Sequence, residues 1–299
     1  MTAGIVINKL TKTYPGAKVP ALDALSLQVA EGEVYGFLGA NGAGKSTTIR
    51  LLMNFLQPTG GSAKVAGLDI VKDNVEVKKH VGYLAGDVAL YQKATGKELL
   101  DYLSALQGTD TREYRAQLEK RFEAETNKPI GELSKGNRQK IGILQALMHR
   151  PSVLILDEPT SGLDPLMQEV FYESVREARG RGAAVFMSSH NLAEAQSLCD
   201  RVGIIKHGKL VREQAVAEMG SLTTPTFTVT FRSHDSVNAL KKEKALKILE
   251  QTDSNALRMQ PTGEIAPALA ALAKHDIVSI ASERADLEDE FLNFYGGSE

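Results

Sequence analysis

The sequence predicts a doubly wound α/β core over residues 1–220, followed by a small α+β domain over residues 221–299. Three observations carry this. Short, wholly apolar strands alternate with amphipathic helices, the pattern of a parallel sheet covered by helices. A glycine-rich loop stands between one such strand and the helix after it. Past about residue 220 the character changes to alternating, half-buried strands interrupted by short helices.

The elements follow in order. Leu25, Leu27 and Val29 alternate with polar residues, as a half-buried strand requires. "VYGFL" (34–38) is a continuous apolar strand, and the helix beyond the loop carries Ile49, Leu52, Met53 and Leu56 on one face. Residues 92–150 read as mostly helical. Thr95 and Glu98 form a capping box before "LLDYLSAL", residues 110–123 form a second helix, and Ser134 opens a third that stops before Pro151. "VLIL" (153–156) and "AAVFMSS" (183–189) are buried parallel strands, with an amphipathic helix over 169–182 between them. "VGIIKHGKLV" (202–211) is a hairpin turning at His207-Gly208. "TPTFTVTF" is a strand with Phe227, Val229 and Phe231 on one face. Helix, strand, helix and the strand "IVSIA" (277–281) follow, then a final helix over 286–295. The basic stretch "KKEKALK" (241–247) reads as a solvated helix face.

Bulk properties exclude several functional classes. The net charge is -2, which gives no electrostatic case for nucleic acid. The single cysteine, Cys199, admits no intrachain disulfide and fits a reducing compartment. The N-terminus lacks the layout of a signal peptide. The longest apolar runs fall far short of the ~20 residues of a membrane-spanning helix. Any membrane role would run through another chain.

Four motifs carry chemistry. "GANGAGKST", residues Gly39, Ala40, Asn41, Gly42, Ala43, Gly44, Lys45, Ser46 and Thr47, matches the phosphate-loop pattern G-x-x-x-x-G-K-[ST]. Its amides cradle phosphate, Lys45 reaches the β- and γ-phosphates, and the Ser46 hydroxyl is a Mg²⁺ ligand. "VLILDE" brings Asp157 to the carboxyl end of its strand, where ligands of open α/β sheets bind; Asp157 is the second Mg²⁺ ligand. Glu158 follows it and is placed to polarise an attacking water. His190 ends another strand at the same sheet edge, in position for a γ-phosphate. Taken alone, an acidic pair capping a turn or a structural histidine would explain these last residues. Ser134 in "LSKGNRQK" (133–140) caps a helix start, a second phosphate-binding feature beside a single phosphate loop.

In order and spacing, "GANGAGKST", "LSKGNRQK", "VLILDEPTSGLD" and "SSH" resemble ATP-binding-cassette (ABC) ATPases over about residues 4–220. The resemblance implies a P-loop NTPase cassette with a RecA-like core, an antiparallel β subdomain and a helical subdomain over about 92–150. It implies ATP and Mg²⁺ as cofactors. Tyr14 resembles the aromatic that stacks on adenine; the lesser alternative is a packing tyrosine before a Pro-Gly turn. Ser134, Lys135, Gly136 and Asn137 resemble the family's signature, which closes over the ATP of a second copy bound head to tail. Ser161, Gly162, Leu163 and Asp164 resemble the loop that communicates across that dimer.

Two features depart from the commonest pattern. Lys135 stands for a glycine and Asn137 for a glutamine in the signature. Gly86, followed by Asp87, stands where the family presents a metal-touching glutamine. The segment "ADLEDEFLNFYGG" and the overall look are similar to cassettes of bacterial ABC-2 exporters. The implied partners are a second copy and an integral membrane permease on a separate chain, with the cassette cytoplasmic and peripheral on the inner face of the membrane. The competing reading is a soluble cassette ATPase acting on ribosomes or DNA.

Overall fold

The computed structural model describes residues 3–86, 91–108, 110–219, 226–240 and 243–283. The chain divides into two compact units, residues 1–216 and 217–299.

In the first unit, β1 (Ala3–Lys12) and β2 (Leu22–Ala30) precede β3 (Val34–Leu38), whose five residues are all buried. Helix α1 (Lys45–Leu52) follows the glycine-rich loop. Next come β4 (Gly60–Val65), β5 (Leu68–Asp69), α2 (Asn74–His80) and β6 (Val81–Leu84). A helical stretch then carries α3 (Gly96–Gln107), α4 (Arg112–Arg121) and α5 (Lys135–Leu147). The capping box expected at its start is present, with Thr95 and Glu98 satisfying each other's backbone amides. β7 (Val153–Asp157), α6 (Pro165–Gly180), β8 (Ala184–Ser189), α7 (Leu192–Leu198), β9 (Arg201–Lys206) and β10 (Lys209–Ala215) complete the unit. The short α8 (Val216–Met219) stands at the division.

Six strands form the central sheet in the order β10-β9-β3-β8-β7-β6. Five of them are parallel and β10 is an antiparallel edge, joined to β9 through His207 and Gly208, both at positive φ. A second sheet, order β2-β1-β4-β5, is antiparallel throughout. Its alternating apolar residues Ile5, Ile7, Leu25, Leu27 and Val29 share one buried cluster with Tyr35, Phe37, Ile49 and Phe186 of the first. Phe186 lies between two aromatic neighbours, with ring centroids 6.0 Å from Tyr35 and 5.2 Å from Phe37. Burying such side chains is the main force that fixes the sheet.

Register decides where the chemistry sits. Leu38 at the end of β3 pairs with Ser189 of β8, and Ser188 of β8 pairs with Asp157 of β7. Three parallel strands therefore end level. The residues after them, Gly39, Glu158 and His190, emerge at one edge, the place where open α/β sheets bind ligands.

The second unit runs β11 (Thr226–Phe231), α9 (His234–Leu240), β12 (Leu246–Asp253), β13 (Ala256–Pro261), α10 (Ile265–Leu272) and β14 (Ile277–Glu283). Its sheet, order β12-β13-β11-β14, is antiparallel, so the unit is a split β-α-β-β-α-β arrangement with its own core around Phe227, Val229, Phe231 and Leu257. One expectation needs correction. The basic stretch near 241–247 is not a helix face where it is described: Lys244 and Ala245 turn, and Leu246 and Lys247 open β12. Leu246 is buried in the small core, and that burial outweighs the helix propensity of the lysines around it. The helix expected over 286–295 lies outside the described residues.

Candidate functional site

The glycine-rich loop is shaped by its backbone. Gly44 precedes α1 with φ 117°, and a Cβ there would stand 2.9 Å from the carbonyl of Ala21, so only glycine fits. The loop feeds straight into a helix start, which turns its free amides toward an anion. Lys45 is 6 % exposed, and its Nζ donates to the carbonyls of Gly39 at 2.6 Å and Ala40 at 3.4 Å. The same ammonium lies 3.4 Å from Glu158 Oε1. Thr47 Oγ1 lies 3.4 Å from the Tyr14 hydroxyl, so the tyrosine stands beside the loop's end, with Lys12 Nζ 5.6 Å from its ring centroid.

Opposite the loop, β7 presents its two carboxylates in different ways. Asp157 is buried, and its Oδ1 accepts from the Ser188 hydroxyl at 2.5 Å. Ser188 also receives the amide of Glu158 at 3.1 Å, so one buried hydroxyl orients both acids. Glu158 adopts φ 49°, a conformation uncommon for a residue with a side chain. It turns out of the strand and toward His190, whose Nδ1 lies 2.5 Å from Glu158 Oε2. His190 itself is 66 % exposed.

These groups face one another across a cleft of about 520 Å³. Its walls include Ala40, Asn41, Gly42 and Lys45 to Thr47 on one side, and Asp157, Glu158, Ser161 and His190 on the other. Gly86 also lines it. A Cβ on Gly86 would stand 3.4 Å from Asp157 Oδ2, so this stretch passes directly against the carboxylate. Asp87 lies outside the described residues. The Ser46 hydroxyl and the Asp157 carboxylate both line the cleft as oxygen donors for a cation, and no group of three or more His, Cys, Asp or Glu forms a cage among the described residues. Two hard oxygen donors beside a phosphate loop suit Mg²⁺, which keeps waters and phosphate oxygens for its other positions.

The signature residues stand elsewhere. Ser134 is the N-cap of α5, its Oγ accepting from the Asn137 amide at 3.2 Å. Asn137 is bonded in turn to the backbone of Glu125. None of Ser134, Lys135, Gly136 and Asn137 lines the cleft. They meet the following loop instead: Lys135 Nζ donates to Ser161 Oγ at 3.2 Å, and a Cβ on Gly136 would stand 2.9 Å from the carbonyl of Gly162. In that loop Leu163 is buried and Asp164 caps α6 through the Met167 amide.

Three buried polar side chains that sequence reasoning passed over bond to the strand ends that carry the site. Ser188 orients both acids. Gln139, 3 % exposed, donates to the carbonyl of Pro159 at 2.7 Å. Glu194 accepts hydroxyls from Thr160 and Ser189. Their signal was burial of a polar group, which emerges only when helices dock on the sheet.

Residues 22–161 match the family described as ABC transporter. The chain is 39% identical over 207 residues to the ABC transporter ATP-binding protein NatA of Bacillus subtilis, covering 67% of this chain and 84% of that protein. It is 32% identical to the daunorubicin/doxorubicin resistance ATP-binding protein DrrA of Streptomyces peucetius, covering 99% and 93%. Among solved structures, an ATP-binding subunit of an ABC transporter superposes with a TM-score of 0.68 at 27% identity, over 73% of this chain and 92% of the other. With its phosphate loop and two acids at one sheet edge, the chain belongs to the ABC transporter ATP-binding family and is a nucleotide-binding ATPase cassette.

Proposed function

We propose that the chain is the ATP-hydrolysing subunit of a bacterial exporter, working as a head-to-tail pair on a membrane permease that is a separate chain. One observation carries the pairing. Ser134 to Asn137 begin a helix able to bind phosphate, yet they do not line the cleft of their own chain. A second copy turned about a two-fold axis would bring that helix start over the phosphates and complete two shared sites.

In each site the loop amides and Lys45 hold the β- and γ-phosphates, with Tyr14 against the base. Ser46 and Asp157 would hold Mg²⁺, which supplies positive charge to the phosphate oxygens. Glu158 accepts a proton from the water that attacks the γ-phosphorus, and the bond to the β-phosphate oxygen breaks to leave ADP and phosphate. His190 is oriented by Glu158 through Nδ1, so Nε2 is the ring nitrogen presented to the γ-phosphate. The loop Ser161 to Asp164 carries the state of one site to the other, through its contact with Lys135.

The permease is proposed to dock over residues 83–106. There a groove of about 390 Å³ lies between α2, β6, α3 and α5, with Val81, Tyr83, Leu103, Leu106 and Met148 on its walls and Lys78 on its rim. No helix among the described residues is long and apolar enough to cross a membrane, so this reading locates the chain at the inner face through its partner. Residues 221–299 are proposed as an accessory domain to the cassette of residues 1–220.

The test is capture of the complex. Tagged Glu158→Gln protein is recovered from cells in mild detergent with ATP and Mg²⁺. A polytopic membrane protein in stoichiometric amount is the expected companion. Ribosomal proteins or DNA-bound partners without any membrane protein would overturn the exporter reading.

A further inference from the structure

Glu194 is a buried acid with no role in the chemistry described so far. It lies on α7 and is 6 % exposed. Each carboxylate oxygen accepts one hydroxyl: Oε1 from Thr160 at 2.7 Å, and Oε2 from Ser189 at 2.5 Å. Those hydroxyls belong to two different strand exits. Thr160 is two residues after Glu158, and Ser189 immediately precedes His190. Glu158 and His190 touch each other at the far side. Side chains from the β7 exit, the β8 exit and α7 thus close a ring of which the reacting pair is one side.

The neighbourhood leaves this ring little freedom. Ser189 Oγ also receives the Asn191 amide at 2.9 Å, and Asn191 Oδ1 caps α7 through the amides of Ala193 and Glu194. On the other side, Gln139 holds the carbonyl of Pro159 and Lys135 holds Ser161 Oγ. Thr160, between them, donates its hydroxyl to Glu194. Burial pushes the Glu194 carboxyl above its usual range, with the two hydroxyls opposing that rise. A buried carboxyl is a costly way to fill space that a leucine could fill. Its two acceptors, matched to two donors, give it a geometric purpose.

We propose that Glu194 is a positioning residue that fixes the distance between the Glu158 carboxylate and the His190 ring by bridging Thr160 and Ser189. This rests on the reading of Glu158 as base and His190 as the γ-phosphate contact. Without the bridge the segments beyond β7 and β8 are joined only through the strand ladder and Ser188, so Thr160 and Ser189 lose their common anchor and the pair is held less closely for a water and a phosphate. Nucleotide affinity is set by the loop and Lys45, so it stays.

The experiment uses the full chain, with single-turnover ATP hydrolysis and binding of a fluorescent ATP analogue measured side by side. Glu194→Ala is expected to slow hydrolysis by about ten- to a hundredfold while the analogue's Kd moves by less than about threefold. A residue that merely supports the fold would lose both together, and that result overturns the proposal. Glu194→Gln, which keeps one acceptor oxygen, falls between Glu194→Ala and the parent. In a cycle with His190→Ala, removing Glu194 as well is expected to add nothing; losses that multiply in full would overturn the proposal, as would an unchanged rate in Glu194→Ala. If Glu194→Ala does not fold, Thr160→Val combined with Ser189→Ala removes both hydroxyls from the other side and carries the same expectation. Glu158→Gln is measured in parallel. Full turnover there sinks the base assignment, whatever Glu194 does.

Discussion

Lys45 and Glu158 face each other across the cleft at 3.4 Å, the cation from the loop after β3 and the anion from the end of β7. The contact joins the group proposed to hold phosphate to the group proposed to act on water. Lys45 is held from behind by the carbonyls of Gly39 and Ala40, so the ammonium is preset in the loop and does not have to be recruited. In the proposed function, phosphate oxygens arriving there would compete with Glu158 for the same charge and free the carboxylate for water.

Lys45→Ala removes that charge and leaves Glu158 without its cation. Nucleotide binding or hydrolysis is expected to collapse, with turnover down by about a hundred- to a thousandfold. A phosphate-release assay together with equilibrium nucleotide binding checks this. Near-normal turnover would show that phosphate is read elsewhere.

Glu158→Gln keeps the size and much of the hydrogen bonding of the side chain but not its basicity. The variant is expected to bind ATP and hydrolyse it about a hundred- to ten-thousandfold more slowly. Because the ATP-bound form then persists, a dimer accumulates that light scattering detects with ATP and not with ADP. Full turnover would remove Glu158 from the role of base.

Much of this site was legible in the sequence. The phosphate loop, Asp157, Glu158 and His190 could be placed because a run of apolar residues fixes a buried strand and the strand fixes which residue emerges at its end. The helix starts at Thr95 and Ser134 were legible from their caps. β1 was harder. Its alternation at Ile5 and Ile7 is broken before Leu10 by a register shift, with Lys9 at φ 48°, so the period of two does not persist. β4 begins with two glycines and carries little strand preference of its own; pairing with β1 creates it. Glu194 and Gln139 look like ordinary solvated helix residues until the helices dock and bury them.

Mixing tests whether the sites are shared. Ser134→Arg spoils the signature half and Lys45→Ala spoils the loop half, so each protein alone is expected to be inactive. A mixed pair retains one intact composite site. Random pairing of equal amounts makes half of the dimers mixed, each with one working site of two, so about a quarter of parental turnover should return if the sites act independently. If proven mixed dimers show no activity at all, the head-to-tail geometry is wrong or the two sites must fire together. Titrating parental subunits with Lys45→Ala separates those outcomes: a linear loss indicates independent sites, and a squared loss indicates obligatory coupling.

His149 makes stability depend on pH. It follows the end of α5, its Nε2 lies 3.3 Å from the carbonyl of Val81, and its Nδ1 is buried with no hydrogen-bond partner among the described residues. Desolvation holds the folded ring below the ordinary histidine value of 6.5, and the contact with the backbone carbonyl of Val81 only partly opposes that. Above that value the ring is neutral in both the folded and the unfolded chain and contributes no pH dependence. As the pH falls through 6.5, the unfolded chain takes up a proton that the folded one resists, so stability declines until the folded ring titrates as well. Carboxylates held below their usual range, such as Asp101 beside Lys97 and Arg115, add a decline of the same sign at lower pH. His149→Gln is therefore expected to flatten the urea midpoint between about pH 6.5 and 5.5 while leaving the steeper acid loss below that range in place. A variant with the parent's slope across that interval would show that another group governs it.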